Sequence, residues 1–194
     1  RYFINRYTIR IAVEYLRLLF IYVHRCVSFK KNLLLMKQIS KKIKTGIGVG
    51  ELKFGISKDD AKQILGEPDD CEKYSYSNTE KDLTEIWYYK NLGLNISFDE
   101  DEDWRLGSIT IESETYLFEN SIFIGQDKNE ILSKLKNLKI IDVEYEDMST
   151  IENPTHELYS SDTLGINFWF DNNKLSEIQI NPLFIDDETI KWPE

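Results

Sequence analysis

The octet LGLNISFD begins at Leu92 and LGINFWFD begins at Leu164, so the chain spells nearly the same eight residues twice, 72 positions apart. Both strings alternate apolar and polar side chains with a period of two, the pattern of a strand with one buried face. Leu92, Leu94, Ile96 and Phe98 form one apolar set, and Leu164, Ile166, Phe168 and Phe170 form the other. A chain that writes one half-buried strand twice builds its core from a repeated pattern. No other feature of the sequence constrains the fold as much.

The likeness extends on both sides of the octets. Upstream, FGISKDDAKQIL (54–65) aligns with IGQDKNEILSKL (124–135), matching Gly55 with Gly125, Lys58 with Lys128 and Leu65 with Leu135. Each copy carries a helix start: Ser57 with Asp60 three residues on, and Asp127 with Glu130 three residues on. The cap oxygen accepts from early helix amides, and the acid in the first turn suits the dipole. Ala61, Ile64 and Leu65 make the apolar stripe of the first helix, and Ile131, Leu132 and Leu135 that of the second. Gly66 and Pro68 end the first.

After each helix the period changes from 3.6 to 2. The candidate strands are CEKYSYS (71–77), TEIWYY (84–89), LGLNISF (92–98) and SITIES (108–113), then HELYS (156–160), LGINFWF (164–170) and LSEIQIN (175–181). Asp99 and Asp171 each open a polar turn into the last strand, as in hairpins. The expected fold class is therefore α+β: two tandem units, 45–117 and 118–194, each a short helical segment followed by its own three- to four-stranded antiparallel sheet.

The string GISKDDAKQILGEPD resembles the repeat shared by beta-lactamase inhibitor protein and the BamE-like outer-membrane assembly lipoproteins. Gly55, Ser57, Ala61, Leu65, Gly66 and Pro68 occupy that family's motif positions. The second copy keeps Gly125 and Leu135 but has Lys136, Asn137 and Leu138 where the Gly-x-Pro stop would stand. The resemblance implies a short helical hairpin on a small antiparallel sheet, over roughly 45–194. It also implies an inhibitor-type or assembly-type binding role.

Residues 1–35 read differently. They hold seven of the 24 basic side chains and one of the 34 acids, which leaves 17 basic and 33 acidic residues in 36–194, a net charge of −16. Such a surface repels nucleic acid and anionic membrane and attracts basic proteins. The apolar stretch IRIAVEYLRLLFIYV (9–23) is interrupted by Glu14 and Arg17, and its uncharged run LLFIYV is far shorter than the roughly 20 residues of a membrane helix. The first Met is Met36, and MKQISKKIKTGIGVGELKFG reads as an ordinary cytosolic start. The expectation is a doubtful leader over 1–35, a native start at Met36 and a cytoplasmic location. With only Cys26 and Cys71 present, neither a disulfide framework nor a cysteine metal site is expected.

If the helices cover one face of the sheet, alternation identifies the side chains left on the other. These are Asn95, Ser97 and Thr110 in the first unit, and Asn167, Trp169, Glu177 and Gln179 in the second, with Ser108 beside them. The seven other than Ser108 are the candidate partner-binding residues, because a large aromatic among small polar groups is typical of an interface anchor. Trp169 stands where its counterpart is Ser97. Parity alone leaves open whether Trp87 or Tyr88 turns inward, and whether Trp169 is exposed or covered.

No constellation for chemistry is found. His24 and His156 make no metal cluster, and DEDED (99–103) lacks the glycine and the bidentate acid of a calcium loop, having Trp104 and Thr110 there. GIGVG (46–50) is not followed by a phosphate-binding helix, and nothing pairs Cys71 with His156 as nucleophile and base. No catalytic residue, cofactor or metal is expected. The function read from the sequence is a non-enzymatic acidic protein-binding module, an inhibitor or immunity-type neutraliser of a basic protein partner, with no nucleic acid bound and no membrane unless 1–35 are native. The alternatives are an envelope assembly factor anchored by 1–35 and a small-molecule-binding domain.

Overall fold

Glycine followed by a cap residue starts each helix. In the computed structural model, Ser57 Oγ accepts from the Asp60 amide at 3.2 Å and donates to its carboxylate at 2.7 Å, opening α1 (Lys58–Leu65). Asp127 Oδ1 accepts from the Asn129 amide at 3.0 Å, opening α2 (Lys128–Asn137). Just upstream, Gly55 N donates to Leu106 O and Gly125 N to Leu175 O, so each helix is tied to the last strand of its own half. Ala61, Leu65, Ile131 and Leu135 turn inward and are buried. The structure describes residues 41–75, 82–186 and 188–194, within one compact unit, Ile39–Glu194. The leader 1–35, the start at Met36 and Tyr76 of the first candidate strand lie outside the described residues.

Three short strands precede α1: β1 (Ile43–Lys44), β2 (Gly48–Val49) and β3 (Leu52–Lys53), an antiparallel sheet that sends Val49, Leu52 and Phe54 into the core. GIGVG belongs to this small sheet. Between the helices run β4 (Asp70–Ser75), β5 (Leu83–Tyr89), β6 (Leu94–Asp99) and β7 (Arg105–Ile111). After α2 come β8 (Glu144–Asp147), β9 (Glu157–Ser161), β10 (Ile166–Asp171) and β11 (Lys174–Ile180), and then a hairpin of β12 (Leu183–Phe184) and β13 (Ile190–Lys191). The strands β1, β2, β3, β8, β12 and β13 have no counterpart in the sequence reading. Gly66, at φ 85°, leads the chain from α1 towards Pro68 and β4, so α1 is not followed by the second helix of a hairpin.

The expected two tandem units, each with its own small sheet, are not what forms. The structure is mostly strand, with two α-helices among the described residues, and all eight long strands belong to one antiparallel sheet in the order β4-β5-β6-β7-β11-β10-β9-β8. The halves join where β7 pairs β11, setting Ile109 opposite Ile180, Thr110 opposite Gln179 and Ile111 opposite Ile178. The physical reason lies in those isoleucines. Two separate sheets would each end in an apolar strand with an open edge, a liability for aggregation. Pairing the edges removes both and leaves Ile109, Ile111, Ile178 and Ile180 at 0% exposure.

The octets are the strands β6 and β10 with their lead-in turns. Leu94, Ile96 and Phe98, and Ile166, Phe168 and Phe170, all enter the core. The glycine in each octet is also explained: Gly93 and Gly165 both sit at φ +60°. A Cβ on Gly93 would lie 2.6 Å from the Ser113 Cβ, and one on Gly165 would lie 2.7 Å from the Asn181 carbonyl. Only glycine meets both demands. A further correspondence ties helix to sheet: Lys58 pairs with Glu85 at 2.9 Å, and Lys128 with Glu157 at 2.6 Å.

Candidate functional site: the open face of the sheet

Because the helices and the small sheet pack against one face, the alternate side chains of β4–β11 line the other. Register sets one row directly across it: Tyr88 faces Asn95, Asn95 faces Thr110, Thr110 faces Gln179, and Gln179 faces Asn167. Hydrogen bonds stitch the row together. Asn167 Nδ2 donates to Gln179 Oε1 at 3.1 Å, and Gln179 Nε2 donates to Ser108 Oγ at 3.2 Å. Asn95 Nδ2 donates to Glu112 Oε1 at 2.8 Å.

All seven residues singled out from the sequence have the parity of this face. Asn95, Thr110, Gln179 and Asn167 are brought together in the row, and Trp169 stands opposite Glu177. Ser97 does not join Trp169. It lies on the other side of the row, opposite Ser108, because β6 and β10 run in opposite directions. The choice left open between Trp87 and Tyr88 resolves by burial: Trp87 turns inward at 4% exposure against Phe98, at 4.7 Å between ring centres. Tyr88 takes the open face and donates to Glu72 at 3.2 Å.

Trp169 is partly buried, and its indole stacks on the His156 imidazole at 4.9 Å and 15°. His156 Nδ1 lies 2.8 Å from Asp171 Oδ1, which also accepts from Asn153 Nδ2 at 2.8 Å. Burial works to raise the Asp171 pKa, but the bonds from Asn153, His156 and Ser176 outweigh it and hold the carboxyl below its usual value. The sequence analysis considered His156 only as a metal ligand or a base and missed this assembly. The repeated pattern contained the clue, since Thr84 bonds Asp99 at 2.5 Å at the corresponding place in the first half.

Glu177 is in the opposite situation. Its carboxylate makes no hydrogen bond or ion pair with the described residues, and the β7–β11 register carries Glu112 alongside it. Burial, and then the Glu112 charge, push its carboxyl up to about 6. Next to it the Trp169 Nε1–H is buried without a partner. One cross-strand pair thus carries a half-buried carboxylate without a protein partner and a buried, unpaired indole N–H, a destabilising arrangement for an isolated sheet.

Acids outnumber bases on this face, and its cations, Arg105, Lys174 and Lys90, stand only at strand ends, with Lys90 3.9 Å from Asp70. Asp70, Glu72, Asp99, Glu144, Glu146 and Asp171 share the face with Glu177 by register. Among the basic residues of β4–β11, Lys73 points to the helix side, where it meets Glu85 at 3.0 Å. Arg105 and Lys174 stand at strand starts, opposite Asp99 and Asp171. The surface is hollowed in two adjoining places. One, of about 400 Å³, lies over Tyr88, Thr110 and Glu177, and the other, of about 740 Å³, lies between the β6–β7 and β9–β10 turns. They share Asp99, Ser108 and Asn181.

Among the described residues no group of three or more His, Cys, Asp or Glu is arranged to hold a metal ion, and no helix is long and apolar enough to cross a membrane. The DEDED stretch forms a 3₁₀ turn, Glu100–Glu102, at the tip of the β6–β7 hairpin. No protein-family model matches the chain, and neither does any curated protein. Among solved structures, an extracellular protein containing a SCP domain from Bacillus anthracis str. Ames is similar at a TM-score of 0.39 and 11% identity. The match covers 66% of this chain and 43% of that one, so this chain spans less than half of that protein. A likeness this slight carries no argument about fold or function.

Proposed function

We propose that this chain is a non-enzymatic protein-binding module that takes a basic protein partner on the open face of its sheet, as an inhibitor or immunity-type neutraliser does. The observation that carries the reading is the excess of carboxylates across that face, with cations only at strand ends, beside the Trp169–His156 stack. Acidic fields of this kind steer a basic partner and raise its association rate. Trp169, stacked on His156, is the type of residue that anchors an interface, and a cationic side chain laid beside Glu177 and Glu112 relieves a repulsion that the free protein carries. The resemblance of residues 54–68 to the inhibitor-type repeat supports the same reading, and with it the view that the two halves are copies of one unit. A cytoplasmic location belongs to the same proposal.

The test is affinity capture on the immobilised chain, run in parallel with Trp169→Ala and Glu177→Gln. A basic protein is expected on the wild-type chain and not on Trp169→Ala, with retention falling between about 0.05 and 0.5 M salt as screening grows. Capture that ignores both substitutions and the salt refutes the reading.

A further inference from the structure

We infer that the larger hollow, between the β6–β7 and β9–β10 turns, is the seat of an extended basic segment of the partner that carries an apolar side chain. The inference rests on the protein-binding reading and adds a location, separate from Trp169, and a ligand chemistry.

The hollow is walled on one side by the sheet and on the other by the chain that leaves β11 and forms the β12–β13 hairpin. Its volume of about 740 Å³ lies within the range of sites that hold a ligand. Four carboxylates line it, Asp99, Glu102, Asp162 and Asp186, and no lysine or arginine does. Asp99 and Asp186 are engaged: Asp99 accepts from Thr84, and Asp186 caps the Glu188 and Thr189 amides. The side-chain carboxylates of Glu102 and Asp162 make no hydrogen bond or ion pair with the described residues, and neither does the amide side chain of Asn181. They are free to receive ammonium or guanidinium groups and a peptide backbone.

The hairpin adds what a purely electrostatic surface lacks. Phe184, in the lining, is 57% exposed, and its neighbour Ile185 is 68% exposed. Ile190 also lines the hollow, so an apolar strip stands against an acidic floor. A large exposed aromatic beside unpaired carboxylates fits a peptide that alternates basic and apolar residues, since an extended chain sends successive side chains to opposite sides. The apolar side chains meet Phe184 and Ile190 while the basic ones meet Glu102 and Asp162. A neutral polar ligand leaves the acids uncompensated, and an acidic one is repelled.

The experiment titrates the ¹⁵N-labelled chain with a short peptide alternating lysine and phenylalanine, and with the same peptide carrying glutamate for lysine. Only the lysine peptide is expected to move the amides of Gly107, Asp162, Gly165, Asn181 and Phe184. Its affinity is expected to fall about tenfold in Phe184→Ser and in the double variant Glu102→Gln/Asp162→Asn, and to stay within about twofold in Trp169→Ala. These side chains are exposed or rim the hollow, so the variants are expected to keep the wild-type spectrum elsewhere. Shifts gathered instead around Trp169 and Glu177, and lost in Trp169→Ala, overturn the hollow while the basic-partner reading stands. Absence of any shift with the lysine peptide overturns both.

Discussion

Replacing Glu177 with glutamine should make the protein more stable at neutral pH, with a size that depends on pH in a defined sense. The carboxyl is pushed up to about 6 in the folded chain, first by burial and then by Glu112, against an ordinary value of 4.5. The folded state therefore holds a proton that the unfolded state releases. Below about 4.5 both states are protonated and the group contributes nothing. Between 4.5 and 6 the unfolded chain ionises first, and stability falls as pH rises. Above 6 the full cost is present. The gap between the two values corresponds to about 2 kcal/mol, and water on the open side of the carboxyl reduces the expected effect to about 1 kcal/mol. Glutamine keeps the shape and removes the charge. Urea unfolding followed by tryptophan fluorescence at pH 4 and pH 8 reads the difference: the variant should match wild type at the lower pH and exceed it by about 1 kcal/mol at the higher. Glu112→Gln should yield part of the same gain, because it removes the second cause. If Glu177→Gln gives a gain equal at both pH values, or none, the account of an uncompensated carboxylate on this face is wrong.

Other consequences follow from the core and the turns. Phe168→Ala empties a position with 0% exposure beneath the centre of the sheet and should cost about 3–5 kcal/mol by calorimetry or denaturant titration. Gly165→Ala and Gly93→Ala should each cost at least about 1–2 kcal/mol from the left-handed backbone alone, with the contacts at 2.7 and 2.6 Å adding to it. Measured melting temperatures should fall in both. Asp127→Ala removes the cap of α2 and should cost about 1 kcal/mol, with hydrogen exchange rising first in the opening turn of that helix.

Local structure was legible in the sequence wherever a residue type has one strong reason for its place. Ser57 and Asp127 mark the helix starts, and the apolar alternates of the octets face the core as their spacing demands. The parity of Asn95, Thr110, Asn167 and Gln179 followed from the same period. What the sequence could not display was the partner of each final strand. SITI and SEIQI are equally compatible with two edges or one joint, and only the burial gained by pairing Ile109 with Ile180 decides between them. The short strand β8, EYED, is exposed along its length and has no apolar alternation to announce it. The stacking of His156 on Trp169 escaped for a related reason, since a diagonal contact between neighbouring strands appears only once register is known.

The joint between β7 and β11 has a consequence for any fragment of this chain. Thr110 faces Gln179, and the flanking isoleucines match crosswise, so exchanging the two strands leaves the pairing unchanged. A fragment ending after β7 exposes an edge that is its own complement. Two copies meeting antiparallel about Thr110 would set Ile109 of one against Ile111 of the other, in the arrangement an isologous dimer requires. Covalent linkage supplies the second edge at a fixed and high effective concentration, which keeps association between different chains at this edge from competing with closure within one.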